Sequence, residues 1–467
     1  MAPSFQSVTW GQLQSELSLR LNDPNHVRWS VAEVRLYLSE ALRVWQCLTQ
    51  QYTLDWSPTF SQPNPATLPV WQSTGNNFNP LVGDNPTSPR YQTLNDSYVY
   101  TAIQYMLLEP PTGNAAWTGT SQFSLTDFVN AFIRRRDQIL QLTACNVGPF
   151  PTTGLPLSIV PNTNRIQLPD SQDQSILDVR RIRYLPTSGS PQTLYRDDTM
   201  AMEYFDTFYQ QTNEPPLTWD VLGSPQQFIT FDTLVNVPNI LECLGILSGG
   251  TVTPPTASPL LIPDDFFWVL KYGMMADLLV KETESRDLMR AQYCEQRFSE
   301  GVRVMMELPW LLQARLNNIP VDTPSFYEAD QFDYEWQSNA DAMPAVIRGG
   351  IDLFAISPII PPDVDVGLNL SLVANAVIPA SDGAYVQVSR EILDVIIDEA
   401  EHLAQIKECG QEMQESIALH QRFIQLAVET NRRLKESGIF ASDLRRPISK
   451  EDEAQPRFAQ EKEPTNA

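Results

Sequence analysis

Trp29-Ser30-Val31-Ala32-Glu33-Val34-Arg35-Leu36-Tyr37-Leu38-Ser39-Glu40-Ala41-Leu42-Arg43-Val44-Trp45 is the stretch whose reading decides the fold. Ser30 with Glu33 has the form of a capping box, in which a hydroxyl and a carboxylate satisfy the free N–H groups of a first helical turn. Val34, Leu38, Ala41/Leu42, Trp45 and Leu48 then recur at helical spacing, so one face of a long helix is apolar and needs partners. Upstream, Thr9 with Gln12 opens a second helix along Leu13, Leu17 and Leu21, ended by Asn22-Asp23-Pro24.

Downstream the chain alternates between two characters. From about 55 to 120 it is rich in Pro, Asn, Gly, Ser and Thr, interrupted by one expected helix from Asp96 through Tyr98, Ala102, Tyr105 and Met106 to Leu108, which stops before Pro110-Pro111. Ser124–Leu142 reads as an amphipathic helix with Phe128, Phe132, Ile139 and Leu142 inward and Arg134-Arg135-Arg136 outward. Residues 150–262 are strand-like, notably at Arg165–Leu168, Ile176–Tyr184, Leu217–Val221 and Phe228–Phe231, with a short helix around Met200–Tyr209. Pro263-Asp264-Asp265 suits a first helical turn and opens a hairpin along Trp268, Met275, Leu278/Leu279, Tyr293, Phe298 and Val302.

The strand-then-hairpin order recurs. Phe354–Ile356 and Val366–Val373 read as strands, and Ser389 begins a hairpin through Leu393, Ile396, Leu403, Ile406, Phe423, Leu426 and Leu434. Gln296-Arg297-Phe298 reappears as Gln421-Arg422-Phe423, an offset of 423 − 298 = 125 residues shared by the strand blocks near 229–247 and 354–372. Both duplication and reuse of one packing scheme fit this offset. The expected class is α+β: amphipathic helices and helical hairpins with inserted small antiparallel β modules and long Pro-rich arms. Its segments are a helical pair (1–54), a Pro/Asn/Gly-rich arm with one helix (55–123), a long helix (124–149), a β-rich module (150–262), a helical hairpin (263–320), an acidic loop with a second β segment (321–388), a C-terminal helical hairpin (389–439) and a flexible mixed-charge tail (440–467).

The 467 residues exceed one ordinary core, and 42% hydrophobic residues can bury a large one. Asp and Glu number 56 against 32 Lys and Arg, a net charge of −24, which argues against a surface built to grip nucleic-acid phosphates or anionic lipid. No basic-then-apolar leader opens the chain and no apolar run is long enough to span a bilayer, so neither a secretory signal nor a membrane span is expected. Five widely spaced cysteines without a C-x-x-C pair read as reduced, mostly buried thiols. The tail from Arg445 to Glu463 carries five charges of each sign, so it contributes nothing to the imbalance. Asp322–Asp365, by contrast, holds nine acids against Arg348 alone: −8, a third of the total.

Catalytic patterns are sparse. The three histidines, His26, His402 and His420, lack a nucleophile elbow or i, i+4 metal spacing and read as surface or packing residues. Gly245-Ile-Leu-Ser-Gly249-Gly250 lacks the Lys-Ser/Thr of a phosphate loop. The acids Asp322, Glu328, Asp330, Asp333, Glu335 and Asp341, interleaved with Phe326, Tyr327, Phe332, Tyr334 and Trp336, allow either a solvated loop docked by its aromatics or the carboxylate pair of a sugar hydrolase. Arg134-Arg135-Arg136 and Arg180-Arg181-Ile182-Arg183 are read as salt-bridging clusters. No catalytic residue, cofactor or metal is assigned.

Three pieces together resemble the head-to-tail adaptor or connector proteins in the neck of tailed bacteriophages. They are Trp29–Trp45, the order Leu168-Pro169, Ile176–Leu185, Leu194–Asp197 and Pro215-Pro216, and the stretch from Ile262-Pro263-Asp264-Asp265 through Lys271–Leu279 to Gln296-Arg297-Phe298. The resemblance covers about residues 25–310 and is one of pattern; the further strand-plus-hairpin unit and tail depart from it. It implies a non-enzymatic virion protein, synthesised in the host cytoplasm, that forms a cyclic homo-oligomer, a dodecamer. Portal and adjacent neck or tail proteins would be its partners, and DNA would pass through without specific binding. A tail hub, nozzle or fibre anchor is the alternative station. In that setting Asp322, Glu328, Asp330, Asp333, Glu335 and Asp341 are candidate channel-lining acids, whose weak repulsion lets a duplex slide. Arg445, Arg446, Lys450 and Arg457 are candidate contacts of a docking tail.

Overall fold

Helices and antiparallel sheets share the chain as the α+β class requires. The structure is a computed structural model that describes residues 5–57, 59–61, 79–80, 94–108, 122–150, 157–158, 162–168, 176–185, 192–205, 215–222, 228–235, 240–252, 258–282, 286–307, 311–333, 336, 343–348, 353–357 and 365–436. Its helices are α1 (Trp10–Arg20), α2 (Val31–Thr49), α3 (Asp96–Met106), α4 (Leu125–Thr143), α5 (Thr199–Phe205), α6 (Phe267–Leu279), α7 (Leu288–Glu307), α8 (Phe326–Phe332), α9 (Arg390–Glu408) and α10 (Gly410–Glu436). A 3-10 turn, Asp264–Phe266, leads into α6, so the hairpin that Pro263 opens begins with a tighter turn than the sequence implies.

The helical body is organised around α2, α6 and α9. Helix α2 packs on α9 and α10, α6 packs on α7, α4 and α3, and α9 and α10 form an antiparallel hairpin. The Thr9–Gln12 capping box forms in full, with Thr9 N–H donating to Gln12 Oε1 at 2.9 Å. At Ser30 half of the box forms: Glu33 N–H reaches Ser30 Oγ at 3.3 Å, but the Glu33 carboxylate turns inward to Lys407 Nζ at 2.8 Å and Tyr37 Oη at 2.6 Å. The expected apolar stripe of α2 is buried, with Leu48 at its margin.

Burial in α2 extends beyond that stripe, to Glu33, Glu40, Arg43 and Gln46. Their partners come from distant elements. Lys271 on α6 places its ammonium 2.5 and 2.6 Å from the two Glu40 oxygens, and Arg43 pairs with Asp265 at 3.2 Å. Beside them, Arg297 on α7 meets Glu399 on α9 at 3.2 Å, and Glu399 also holds His420 Nδ1 of α10 at 2.7 Å. The body therefore contains a layer of paired charges inside an otherwise apolar core.

Close approach between α6 and α7 depends on two glycines. A Cβ at Gly301 would lie 2.5 Å from Val269 Cγ2 and 2.8 Å from Trp268 Cη2, and one at Gly273 would lie 2.7 Å from Phe298 Cδ2. Gly301→Val is expected to lower stability by about 1–3 kcal/mol through overpacking. Thermal unfolding measures it, and an unchanged midpoint would contradict this packing.

Between helices the chain forms strands β1 (Thr53–Trp56), β2 (Thr59–Ser61), β3 (Asn79–Pro80), β4 (Val147–Phe150), β5 (Leu157–Ser158), β6 (Thr163–Gln167), β7 (Ile176–Leu185), β8 (Gln192–Arg196), β9 (Thr218–Leu222), β10 (Phe228–Val235), β11 (Ile240–Leu247), β12 (Leu311–Leu316), β13 (Ile319–Val321), β14 (Ala345–Arg348), β15 (Leu353–Ser357) and β16 (Asp365–Val373). One sheet runs β4-β11-β7-β8-β9-β10-β6 with β5 also on β11; a second runs β1-β16-β12-β13 with β2 on β16; a third runs β14-β15-β3. Among the described strands the pairings are antiparallel except β8 with β9, which are parallel and joined across a segment containing α5, as a parallel crossover requires; two isolated bridges to β14, from Asp322 and Ser325, are also parallel. The second and third sheets share a core of Leu311, Val346, Phe354, Ile356, Leu368 and Leu370.

Several sequence expectations are corrected here. On α4, Phe128, Phe132 and Ile139 face inward and Arg134 outward as read, but Arg135 and Arg136 are buried and Leu142 is exposed, against the reading. Both arginines turn inward because acceptors wait there: Arg135 bridges Asp277 and Glu295, and Arg136 reaches the Gly250 carbonyl. The Pro-rich arm contributes β1, β2 and β3 to sheets whose other strands lie about three hundred residues away in sequence. Residues 311–321, read within a helical hairpin, form the β12–β13 hairpin around Asn317-Asn318, both at positive φ (49° and 68°), the signature of a two-residue turn.

The two blocks offset by 125 residues also differ in place. β10 and β11 belong to one sheet, whereas β15 and β16 belong to two. Their helices do share a detail: Arg297 and Arg422 hold neighbouring acids of α9, Glu399 and Asp398. The five cysteines are reduced thiols, and all but Cys409 are buried. Burial pushes the Cys294 thiol up to about 12.

Candidate interaction cleft

The acidic segment does not hang free: α8 docks on the outer face of the first sheet. Ser325 caps α8 in a full capping box, its N–H donating to Glu328 Oε2 at 2.7 Å. The preceding strand-like residues are pinned to β14, since Val346 N–H donates to the Asp322 carbonyl at 2.9 Å and Arg348 N–H to the Pro324 carbonyl at 2.8 Å. Trp336 and Ala329 then pack with Leu244, Ala345, Ile347 and Ala355. Of the aromatics expected to dock, Trp336 does so, Tyr327 and Phe332 stay 72% and 87% exposed, and Tyr334 and the Phe326 side chain lie outside what the structure describes.

One ion pair locks the contact. Arg181 on β7 is buried; it pairs with Asp330, donates to Thr193 Oγ1 at 3.0 Å and stacks 5.2 Å from the Trp336 ring. The Trp336 indole N–H donates to Asp330 Oδ1 at 2.9 Å. Burial raises the Asp330 pKa, against the pull of the Arg181 guanidinium.

Beside this lock lies a cleft of about 960 Å³ whose lining includes Arg180, Arg196, Arg348, Tyr195, Trp219 and Tyr327. One of its arginines, Arg180, is placed by an irregularity in the sheet. Along β7 the pairing with β11 skips Arg180, since Leu244 faces Arg181 and Gly245 faces Val179. Arg180 is thus the extra residue of a bulge, which re-aims its side chain outward. Arg196, at the end of β8, lies 5.4 Å from the Trp219 ring centroid. Arg180 and Arg196 share one carboxylate, Asp178, at 3.2 and 3.7 Å. The Arg348 Nε is buried and has no hydrogen-bond partner among the described residues.

The sequence-selected acids are distributed as follows. Asp322 and Glu328 are exposed, Asp333 is half-buried, and Asp330 turns into the lock. The first of these accepts from β14 through its backbone carbonyl, and the Glu328 carboxylate is held low by the Ser325 N–H. Glu335, Asp341, Arg445, Arg446, Lys450 and Arg457 lie outside the described residues. Asp330, tied to Arg181 and Trp336, is the one carboxylate among the described residues that line this cleft. Both basic clusters engage intrachain acids, Arg134 and Arg135 through Asp277. Among the described residues no group of three or more His, Cys, Asp or Glu is placed to hold a metal ion, and no helix is long and apolar enough to cross a membrane.

Sequence reasoning missed the cleft's composition. Tyr195 and Arg196 stood in plain view on a strand, but only the parallel β8–β9 pairing and the docked α8 bring them to Arg348 and Tyr327. No family model and no curated protein matches the chain.

Proposed function

We propose that the chain is a non-enzymatic structural subunit of a tailed-bacteriophage virion, assembled as a cyclic homo-oligomeric ring in the neck between portal and tail, around the DNA channel. The support for this reading is the resemblance of three sequence pieces, which fall on α2, on the β module and on the α6–α7 hairpin. Proline-rich arms suit such an assembly, because restricted segments lose less entropy when a neighbour orders them. Localisation in the virion, with portal and tail proteins as neighbours, belongs to the same proposal. Mass measurement of the purified chain by light scattering, joined to imaging of particles decorated with an antibody against it, tests the reading. A ring-sized species and label at the neck support it; a monomer at high concentration and unlabelled particles would sink it.

The exposed acids Asp322 and Glu328, with half-buried Asp333, are proposed to face the channel. Asp322→Asn, Glu328→Gln and Asp333→Asn together are expected to slow DNA release at low salt and to lose that effect at high salt, where the Debye length shrinks to ~3 Å. Time-resolved release from particles carrying the triple variant measures this, and unchanged rates at low salt would remove these residues from the channel wall.

A further inference from the structure

We infer that the cleft between β8 and α8, where Arg180, Arg196 and Arg348 stand beside Tyr195 and Tyr327, is a receptor for a short acidic segment of another protein chain. In a chain of net charge −24, this cleft gathers Arg180 and Arg196 around one shared carboxylate, Asp178, Arg181 around the already committed Asp330, and Arg348 near the exposed Glu328 carboxylate, so arginines outnumber the acids beside them. Guanidinium groups bind carboxylates through charge-assisted, often bidentate hydrogen bonds. Arg180 and Arg196 are about half exposed, so their outward N–H groups are reachable. Tyr195 and Tyr327 supply flat apolar walls at low entropic cost, and Arg with aromatics is the composition that marks interface centres.

The apolar surface continues outward from the cleft. Tyr195 N–H donates to the Leu217 carbonyl at 2.9 Å, and Leu217, Met200 and Tyr204 around the β8–α5–β9 crossover are exposed. A peptide with carboxylates in the cleft can lay apolar side chains against these exposed groups. A nucleic acid is the disfavoured occupant. It would extend past the cleft across Asp198, Glu203 and Glu328, all exposed, where like charges repel within a Debye length. This inference does not rest on the ring reading, since any chain that presents an acidic segment satisfies it.

Fluorescence anisotropy of the full chain tests it, with a short labelled peptide alternating glutamate and tyrosine as the probe. The same peptide with glutamine for glutamate and a labelled oligothymidylate serve as competitors in class. The acidic peptide is expected to bind, to weaken as salt rises, and to lose about tenfold in affinity with Arg180→Gln/Arg196→Gln. Tyr327→Glu, at an exposed position, is expected to cause a comparable loss by placing a like charge at the wall. Both variants should keep the wild-type unfolding midpoint. Absence of binding, equal binding of the glutamine peptide, tighter binding of the oligothymidylate, or indifference to all these substitutions would each overturn the inference. Oligomeric mass is a separate readout, so failure here leaves the ring proposal standing and the converse also holds.

Discussion

Glu40→Leu is expected to lower the unfolding free energy by about 3–5 kcal/mol, because it strands the buried Lys271 ammonium without a counter-charge. Both side chains of the pair are fully buried, and the ammonium contacts both carboxylate oxygens at 2.5 and 2.6 Å. Burial pushes the Glu40 carboxyl up and the Lys271 ammonium down, each opposed by the partner's charge. Once Glu40 is gone, the largest offset to the desolvation cost at Lys271 is lost, and the Tyr272 ring at 4.4 Å is a weak substitute. The double variant Glu40→Leu/Lys271→Met is expected to recover most of the loss, since replacing both members with apolar groups is often neutral or stabilising. Equilibrium urea unfolding of the two singles and the double closes the cycle. If Glu40→Leu and the double variant are equally unstable, packing rather than charge pairing sets the cost.

Acidification from about pH 7 to about pH 4 is expected to remove on the order of 3 kcal/mol through His402 alone. This ring is fully buried, with Tyr293 Oη 2.6 Å from Nε2 and Ser416 Oγ 2.9 Å from Nδ1. Burial holds its pKa down at about 3, from an ordinary 6.5; Glu399 opposes that shift, and His420 and Arg297 add to it. The folded pKa lies below the unfolded one, so the unfolded chain binds the extra proton between these values. The stability from neutral His402 is therefore complete above the unfolded pKa and drains as pH falls toward the folded one. Glu399 adds a lower step. Burial works against its carboxylate, but His420 and Arg297 outweigh that and hold it at about 2, so its contribution is lost as pH falls from 4.5 toward that value. Urea unfolding across the acid range measures both steps. His402→Gln should flatten the upper one and Glu399→Gln the lower, and an unchanged upper slope in His402→Gln would show that the ring does not stay neutral.

These two predictions lie in the part of the molecule that sequence reading reached least. The stripe Val34, Leu38, Leu42 and Trp45 is legible because helical periodicity needs no partner to be seen. Glu33, Glu40 and Arg43 on the same helix look like a solvated face until α6 and α9 close over them with Lys271, Asp265 and Lys407. The same holds for Arg135 and Arg136, where three consecutive arginines look like surface and two are interior.

Sequence alone determined the helices with strong caps and apolar stripes, the β character of 150–262 and the concentration of acid in 322–365, because each is a local property of propensity, periodicity or charge. It also contained, unread, the Asn317-Asn318 turn of the β12–β13 hairpin. Tertiary structure alone decided which strands pair across three hundred residues, as β1 does with β16, and which charged residues are interior. It alone set the cleft, by placing the Arg180 bulge and Arg196 beside the docked α8. The reason is physical: a buried charge or a long-range strand is stabilised by a partner distant in the chain, and no local pattern records that partner's identity. The −24 charge balance illustrates the division, since counting residues fixes its size while folding decides where an arginine-lined cleft interrupts it.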